Sequence, residues 1–109
     1  MEQYIKKIFT GFIYIHILYH ASKEPVYGVR MMEELESHGY RIGPGTLYPL
    51  LHRMETDGLL ISQEETVNSK VRKYYRATAE GVSLLERCRR QVDEMRKEIV
   101  DDKPGPDVQ

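Results

Sequence analysis

Little in the bulk composition of this chain points to a partner. Its 109 residues include one cysteine and no tryptophan, and 16 lysines and arginines nearly cancel 17 aspartates and glutamates. A single cysteine, Cys88, excludes an internal disulfide and suits a reducing compartment. A net charge of −1 removes any whole-chain argument for a polyanionic ligand. The apolar run from Ile8 to Tyr19 is shorter than the ~20 residues a bilayer span needs, and no small-residue cleavage site follows it. A cytoplasmic protein without a membrane partner is therefore expected. No internal repeat or low-complexity segment occurs. The sequence has no glycine-rich phosphate loop, no serine nucleophile elbow and no HExxH, and its carboxylates fall mostly on helical surfaces. No enzyme activity, no cofactor and no metal are expected.

What is present is an ordinary globular balance, 40% hydrophobic and 30% charged, in a chain just long enough for a modest core. The first segment, MEQYIKKIFTGFIYIHILYHAS, is apolar on nearly every side from Ile8 onward: Ile5, Phe9, Phe12 and Ile13 form one stripe, Ile8, Ile15 and Leu18 another. A helix apolar all round must be covered all round, a first hint of a partner subunit. After Pro25, VYGVRMMEELESHG resumes a helix with Val29, Met32 and Leu35 at apolar spacing and Gly39 as its C-terminal cap. RIGPG is a connecting turn.

In GPGTLYPLLHRMETDGLL, Leu47, Leu50, Leu51 and Met54 fall at i, i+3, i+4 and i+7, an amphipathic helix. Thr46 is the expected N-cap, which puts Pro49 in the first turn, and Gly58 closes the helix. LLISQEET and KVRKYYRAT are strand-like and flank a turn at Asn68-Ser69. Thr78 is the expected N-cap of a last helix through VSLLERCRRQVDEMRKEIVDD, and the prolines of KPGPDVQ argue for a disordered tail. The fold class is mainly α with a small β-hairpin. It divides into a winged helix–turn–helix over 1–78, a C-terminal dimerisation helix over 79–102 and the tail over 103–109.

That arrangement places the third helix in a DNA major groove. With its leucines inward, Thr46, Tyr48, Pro49, His52 and Arg53 remain on the outer side, able to meet phosphates, sugars and base edges. From Thr66 to Arg76 the hairpin carries Lys70, Arg72, Lys73 and Arg76 and no acidic residue, a local +4 suited to gripping phosphates. The plainer readings are a solvated helix face and an edge hairpin whose cations prevent aggregation. A winged-helix protein–protein interaction module without DNA binding is the alternative function, favoured by the near-neutral net charge.

PGTLYPLLHRMETDGLL followed by RKYYRATAEG, with VYG at the second helix, resembles the signature of PadR-type transcriptional regulators over roughly Ile5 to Gly81. The resemblance implies a dimeric winged-helix repressor whose first and last helices form the interface. It implies, too, that Tyr27, Thr46, Tyr48, Pro49 and the wing cations lie where such proteins meet double-stranded DNA. Some short relatives sandwich flat ligands between interface tryptophans, which this chain lacks.

In the last helix Leu85, Cys88, Val92, Met95 and Ile99 step by 3, 4, 3 and 4, a heptad seam. With Ile5, Phe9 and Phe12 of the first helix they make the expected homodimer interface, where any small-molecule effector would act. Two copies then present two recognition helices to a palindromic operator. Cys88 on that seam reads as a small core residue rather than a redox sensor. His16 and His20, four apart on the first helix, have a spacing that can bind a metal, with Cys88 as a third donor. No further ligand cluster is visible in the sequence, and histidines on an apolar helix are usually packed.

Overall fold

Glu24 adopts extended backbone, φ −162°, ahead of Pro25, as steric clash with a proline ring demands of the preceding residue. It thereby ends α1, Glu2–Lys23, the first element of a computed structural model that describes residues 1–102. The expected tail lies outside the described residues. After α1 come β1 (Val26–Tyr27), α2 (Gly28–Ser37), α3 (Pro44–Thr56), β2 (Leu60–Val67), β3 (Lys70–Ala77) and α4 (Ala79–Met95), which continues as a wider π-helical turn, Arg96–Val100.

The sheet has three antiparallel strands in the order β1-β3-β2 rather than the expected two. Val26 pairs with Tyr75 and Tyr27 with Tyr74, so Tyr27 is a strand residue and the N-cap of α2 rather than part of that helix. Two residues are too few for an alternating pattern to announce a strand. The hairpin matches expectation: Val67 pairs with Lys70 across Asn68 and Ser69, both at positive φ (52° and 65°), the two-residue turn whose twist matches that of paired strands.

Both middle helices end alike. Gly39 (φ +91°) and Gly58 (φ +82°) occupy left-handed backbone, and Tyr40 and Leu59 donate their N–H groups back to the Leu35 and Met54 carbonyls at 2.9 Å. This closure satisfies carbonyls that a helix end leaves free. Two expectations are corrected. In α2 the core takes Met31 and Leu35, while Val29, in the first turn, is exposed. And α3 is capped by Gly43 with Pro44 at its first position, where proline's fixed φ is pre-organised for a helix. Thr46 is thus already inside the helix and Pro49 lies a turn and a half in, depriving the Gly45 carbonyl of its i+4 donor.

Ile17 and Leu18 of α1, Met31 and Leu35 of α2, Leu47, Leu51 and Met54 of α3, Leu60, Tyr75 and Leu85 make one core, each large apolar side chain adding about 1.5–3 kcal/mol. The entry to α4 locks onto the exit from α3. The Thr78 hydroxyl donates to the Gly58 carbonyl (2.6 Å) and accepts from the Gly81 N–H (3.1 Å). The Thr78 N–H bonds the Leu59 carbonyl at 3.1 Å. A Cβ on Gly81 would strike that carbonyl oxygen. Gly81→Ala is therefore expected to lower stability by about 1–3 kcal/mol in urea unfolding, despite alanine's better helix propensity; an unchanged midpoint would show that the junction yields.

Candidate nucleic-acid interface

The leucine stripe decides how α3 presents itself. Leu47, Leu51 and Met54 are buried, and at 3.6 residues per turn Gly45, Pro49 and His52 then lie opposite them. Tyr48 falls on one flank, toward the wing, and Thr46 and Arg53 fall on the other. Thr46, Tyr48, Pro49, His52 and Arg53 are all exposed. Gly45 was not anticipated. A Cβ there would meet nothing within 4 Å, so packing does not require the glycine, and its bareness leaves the backbone open at the middle of the outward face.

Tyr48 reaches across to α2, where a Cβ on Gly28 would overlap its ring. On the far side of Gly28, Tyr27 packs edge-on against Tyr74, ring centroids 5.4 Å apart, and carries the Arg72 guanidinium 4.5 Å above its ring. This cation–π stacking aims a wing cation toward the helices. The result is a groove of about 440 Å³ lined by Tyr27, Gly28, Val29, Tyr48, Lys70, Val71, Arg72 and Lys73. Of the residues singled out from the sequence, Tyr27, Tyr48, Lys70, Arg72 and Lys73 thus share one groove, and Thr46, Pro49, His52 and Arg53 share the adjoining face.

The wing is less cationic than its β3 strand alone. Glu64 pairs with Lys73 and Glu65 with Arg72 across the strands, so Leu60–Ala77, with four cations and two glutamates, nets +2. Lys73 also lies 3.4 Å from the Glu55 carboxylate. Glu55 accepts from the Ser62 hydroxyl (2.5 Å) and N–H (3.2 Å). The hydroxyl's hydrogen bond first, then Lys73 and last the Ser62 N–H, hold its carboxyl below the usual range against the opposing effect of burial. The core side of the wing is thereby fastened to the end of α3. Lys70, opposite Val67 at the hairpin tip, has no acidic cross-strand neighbour.

The expected interface residues divide. Leu85 is only 3% exposed within the chain's own core, whereas Ile5, Phe9, Phe12, Val92, Met95 and Ile99 are all exposed. Phe12, Ile15, Cys88, Val92, Met95 and Ile99 line a second, apolar groove of about 580 Å³ between α1 and α4. His16 and His20 do not join Cys88. They meet His38, which follows α2, a neighbour that sequence spacing could not reveal. Desolvation lowers the pKa of His16, helped by His38 and His20; desolvation also lowers that of His20, against the opposing pull of Glu34. None of the helices among the described residues is long and apolar enough to cross a membrane.

Residues 17–87 match the transcriptional regulator PadR-like family. The chain is 46% identical over 86 residues to the transcriptional regulator Rv3488 of Mycobacterium tuberculosis, covering 79% of this chain and 80% of that one. Among solved structures it is similar to a PadR family transcriptional regulator from Eggerthella lenta, with TM-score 0.77 and 33% identity over 92% of this chain and 88% of that one. A PadR-like transcriptional regulator from Bacillus cereus gives TM-score 0.80 at 29% identity, covering 87% and 94% of the two chains.

The Glu55 fastening has a pH signature. A carboxyl whose folded pKa is depressed contributes stability above its unfolded pKa of about 4.3 and loses it as pH falls through the folded value. Ser62→Ala, which removes the hydroxyl donor, is expected to melt below the wild type at pH 7. The gap between the two should narrow as the pH drops below about 4. A gap constant with pH would separate the serine's effect from the carboxylate.

Proposed function

The chain belongs to the PadR-like family of transcriptional regulators, and on that premise we propose that it is a DNA-binding repressor acting as a homodimer on a palindromic operator. The observation that carries this reading is the groove in which Tyr27, Tyr48 and the wing cations, drawn from three separate elements, border one face of α3. In this reading α3 enters the major groove with Gly45, Pro49 and His52 foremost. Thr46 and Arg53 contact bases or phosphates from one flank and Tyr48 from the other. Lys70, Arg72 and Lys73 hold the neighbouring phosphates, and Tyr27 supports them by seating Arg72. Repression follows from covering a promoter in the cytoplasm.

The homodimer rests on uncovered apolar surface. Ile8 at 53%, Phe9 at 45% and Val92 at 46% exposure are poorly placed in water, and contiguous exposed patches of this kind mark interaction sites. Pairing two copies through α1 and α4 covers both helices, and the groove of about 580 Å³ beneath Phe12 and Met95 becomes a chamber for an apolar effector. A ligand there would act by changing the angle between the two DNA-reading units.

The first test is fluorescence anisotropy with DNA from upstream of the protein's own gene, with excess random competitor and at two salt concentrations. Competitor-resistant binding that weakens with salt is expected. Gly45→Ala should raise the thermal midpoint, since alanine is worth up to about 1 kcal/mol over glycine in a helix, while weakening DNA binding by crowding the approaching duplex. Equal DNA affinity for the two proteins would remove α3 from the contact. Binding abolished by competitor, followed by failure to select any sequence from random DNA, would favour the protein-partner reading. Light scattering at micromolar concentration is expected to give the mass of a dimer, about twice 12.8 kDa; a monomer mass would end both the interface and the palindrome.

A further inference from the structure

Three of the four histidines in the chain converge at a place the DNA-binding reading does not use. His16 and His20 share a face of α1, one turn apart, and His38 meets them from the C-cap of α2. One ring nitrogen from each lies within 4.8 Å of the others. The His16 and His38 rings are 4.8 Å apart between centroids, and the Tyr40 ring closes one side at 5.2 Å from His16. His20 Nε2 is buried without a hydrogen-bond partner. Glu34 Oε2 faces it from 3.9 Å, too far for a hydrogen bond, while the other oxygen of the same carboxylate is held by Arg30 at 2.8 Å. A buried polar nitrogen without a partner is rare and asks for an ion or an ordered water.

We propose that His16, His20 and His38 form a binding site for a divalent transition-metal ion of the zinc type, with Glu34 Oε2 as the fourth donor. Imidazole suits Zn²⁺, Co²⁺ and Ni²⁺, whereas Ca²⁺ and Mg²⁺ require a set of oxygens that this site does not provide. Ligand nitrogens about 2.0–2.1 Å from a tetrahedral ion stand about 3.3 Å apart. The histidines therefore close by an ångström or so on binding, chiefly by movement of His38, the exposed member of the three. Glu34 supplies the negative charge that three neutral imidazoles lack, and Arg30 fixes its orientation. Cys88 lies in the neighbouring apolar groove outside this cluster, so the donor set contains no thiolate. The ion ties α1 to the end of α2. Any consequence for DNA affinity rests on the function proposed above; the site itself does not, and its test contains no DNA.

The untagged full chain, stripped with EDTA and desalted, is titrated with Co²⁺ and then with Zn²⁺. Expected are the intense visible bands of four-coordinate Co²⁺, saturating at one ion per chain and abolished when Zn²⁺ displaces it. His38→Ala, at an exposed helix end and checked for folding by its thermal melt, should bind at least roughly tenfold more weakly. Three results would overturn the site: a spectrum unchanged from aqueous Co²⁺, undiminished binding by His38→Ala, or near-ultraviolet thiolate-to-cobalt absorption, which would put the ion on Cys88.

Discussion

Burial of Leu47, Leu51 and Met54 fixes the rotation of α3 about its own axis, and the geometry of the candidate interface follows from that constraint. Rotation by one residue, 100°, would expose a leucine and bury Tyr48 or Thr46 in its place. The helix is also fixed along its length: its end is closed by Gly58, and Glu55 is fastened to β2 through Ser62. The Thr78 junction carries the same rigidity into α4. These contacts fix where the backbone of α3 presents its outward residues.

A second constraint is the shortage of core. At 22 residues and 1.5 Å per residue, α1 runs about 33 Å, longer than the helical layer it packs on. Only Ile13, Ile17, Leu18 and Ala21 are buried along it; Ile5, Ile8 and Phe9 lie toward the other end and remain exposed, Phe9 with the Tyr40 ring edge-on beside it. The last turns of α4 are in the same state. The molecule is accordingly long, 62 Å by 31 Å by 22 Å, and its uncovered apolar surface is concentrated on α1 and α4. In the function proposed above, α1 and α4 would meet a second copy while α3 and the wing meet DNA.

Charge is arranged by pairing rather than by excess. The wing cations lie opposite Glu64 and Glu65 and beside Glu55, so cation placement on this hairpin depends on geometry: Arg72 is stacked on Tyr27, Lys73 is drawn toward α3, and Lys70 is left at the tip. A chain of net charge −1 thus presents a directed set of cations without a globally basic surface, and counting charges along β3 alone overstates the local field.

Period and punctuation made much of this legible in the sequence. The leucine spacing of α3, the two closing glycines, the Asn68-Ser69 turn and Thr78 at the head of α4 each act within about two helical turns of sequence, and local interactions can be read from local order. The outward side chains of α3 were legible for the same reason, being whatever the stripe excludes. Tertiary structure alone decided the rest. The start of α3 at Pro44 instead of Thr46 turned on the extended backbone of Gly43, and β1 exists only because β3 pairs with it. Burial of Met31 in preference to Val29, the seat of Arg72 on Tyr27, the openness around Gly45 and the meeting of His16 and His20 with His38 are contacts between distant segments. Their partners are set by how the helices pack, a property that no spacing along the chain encodes.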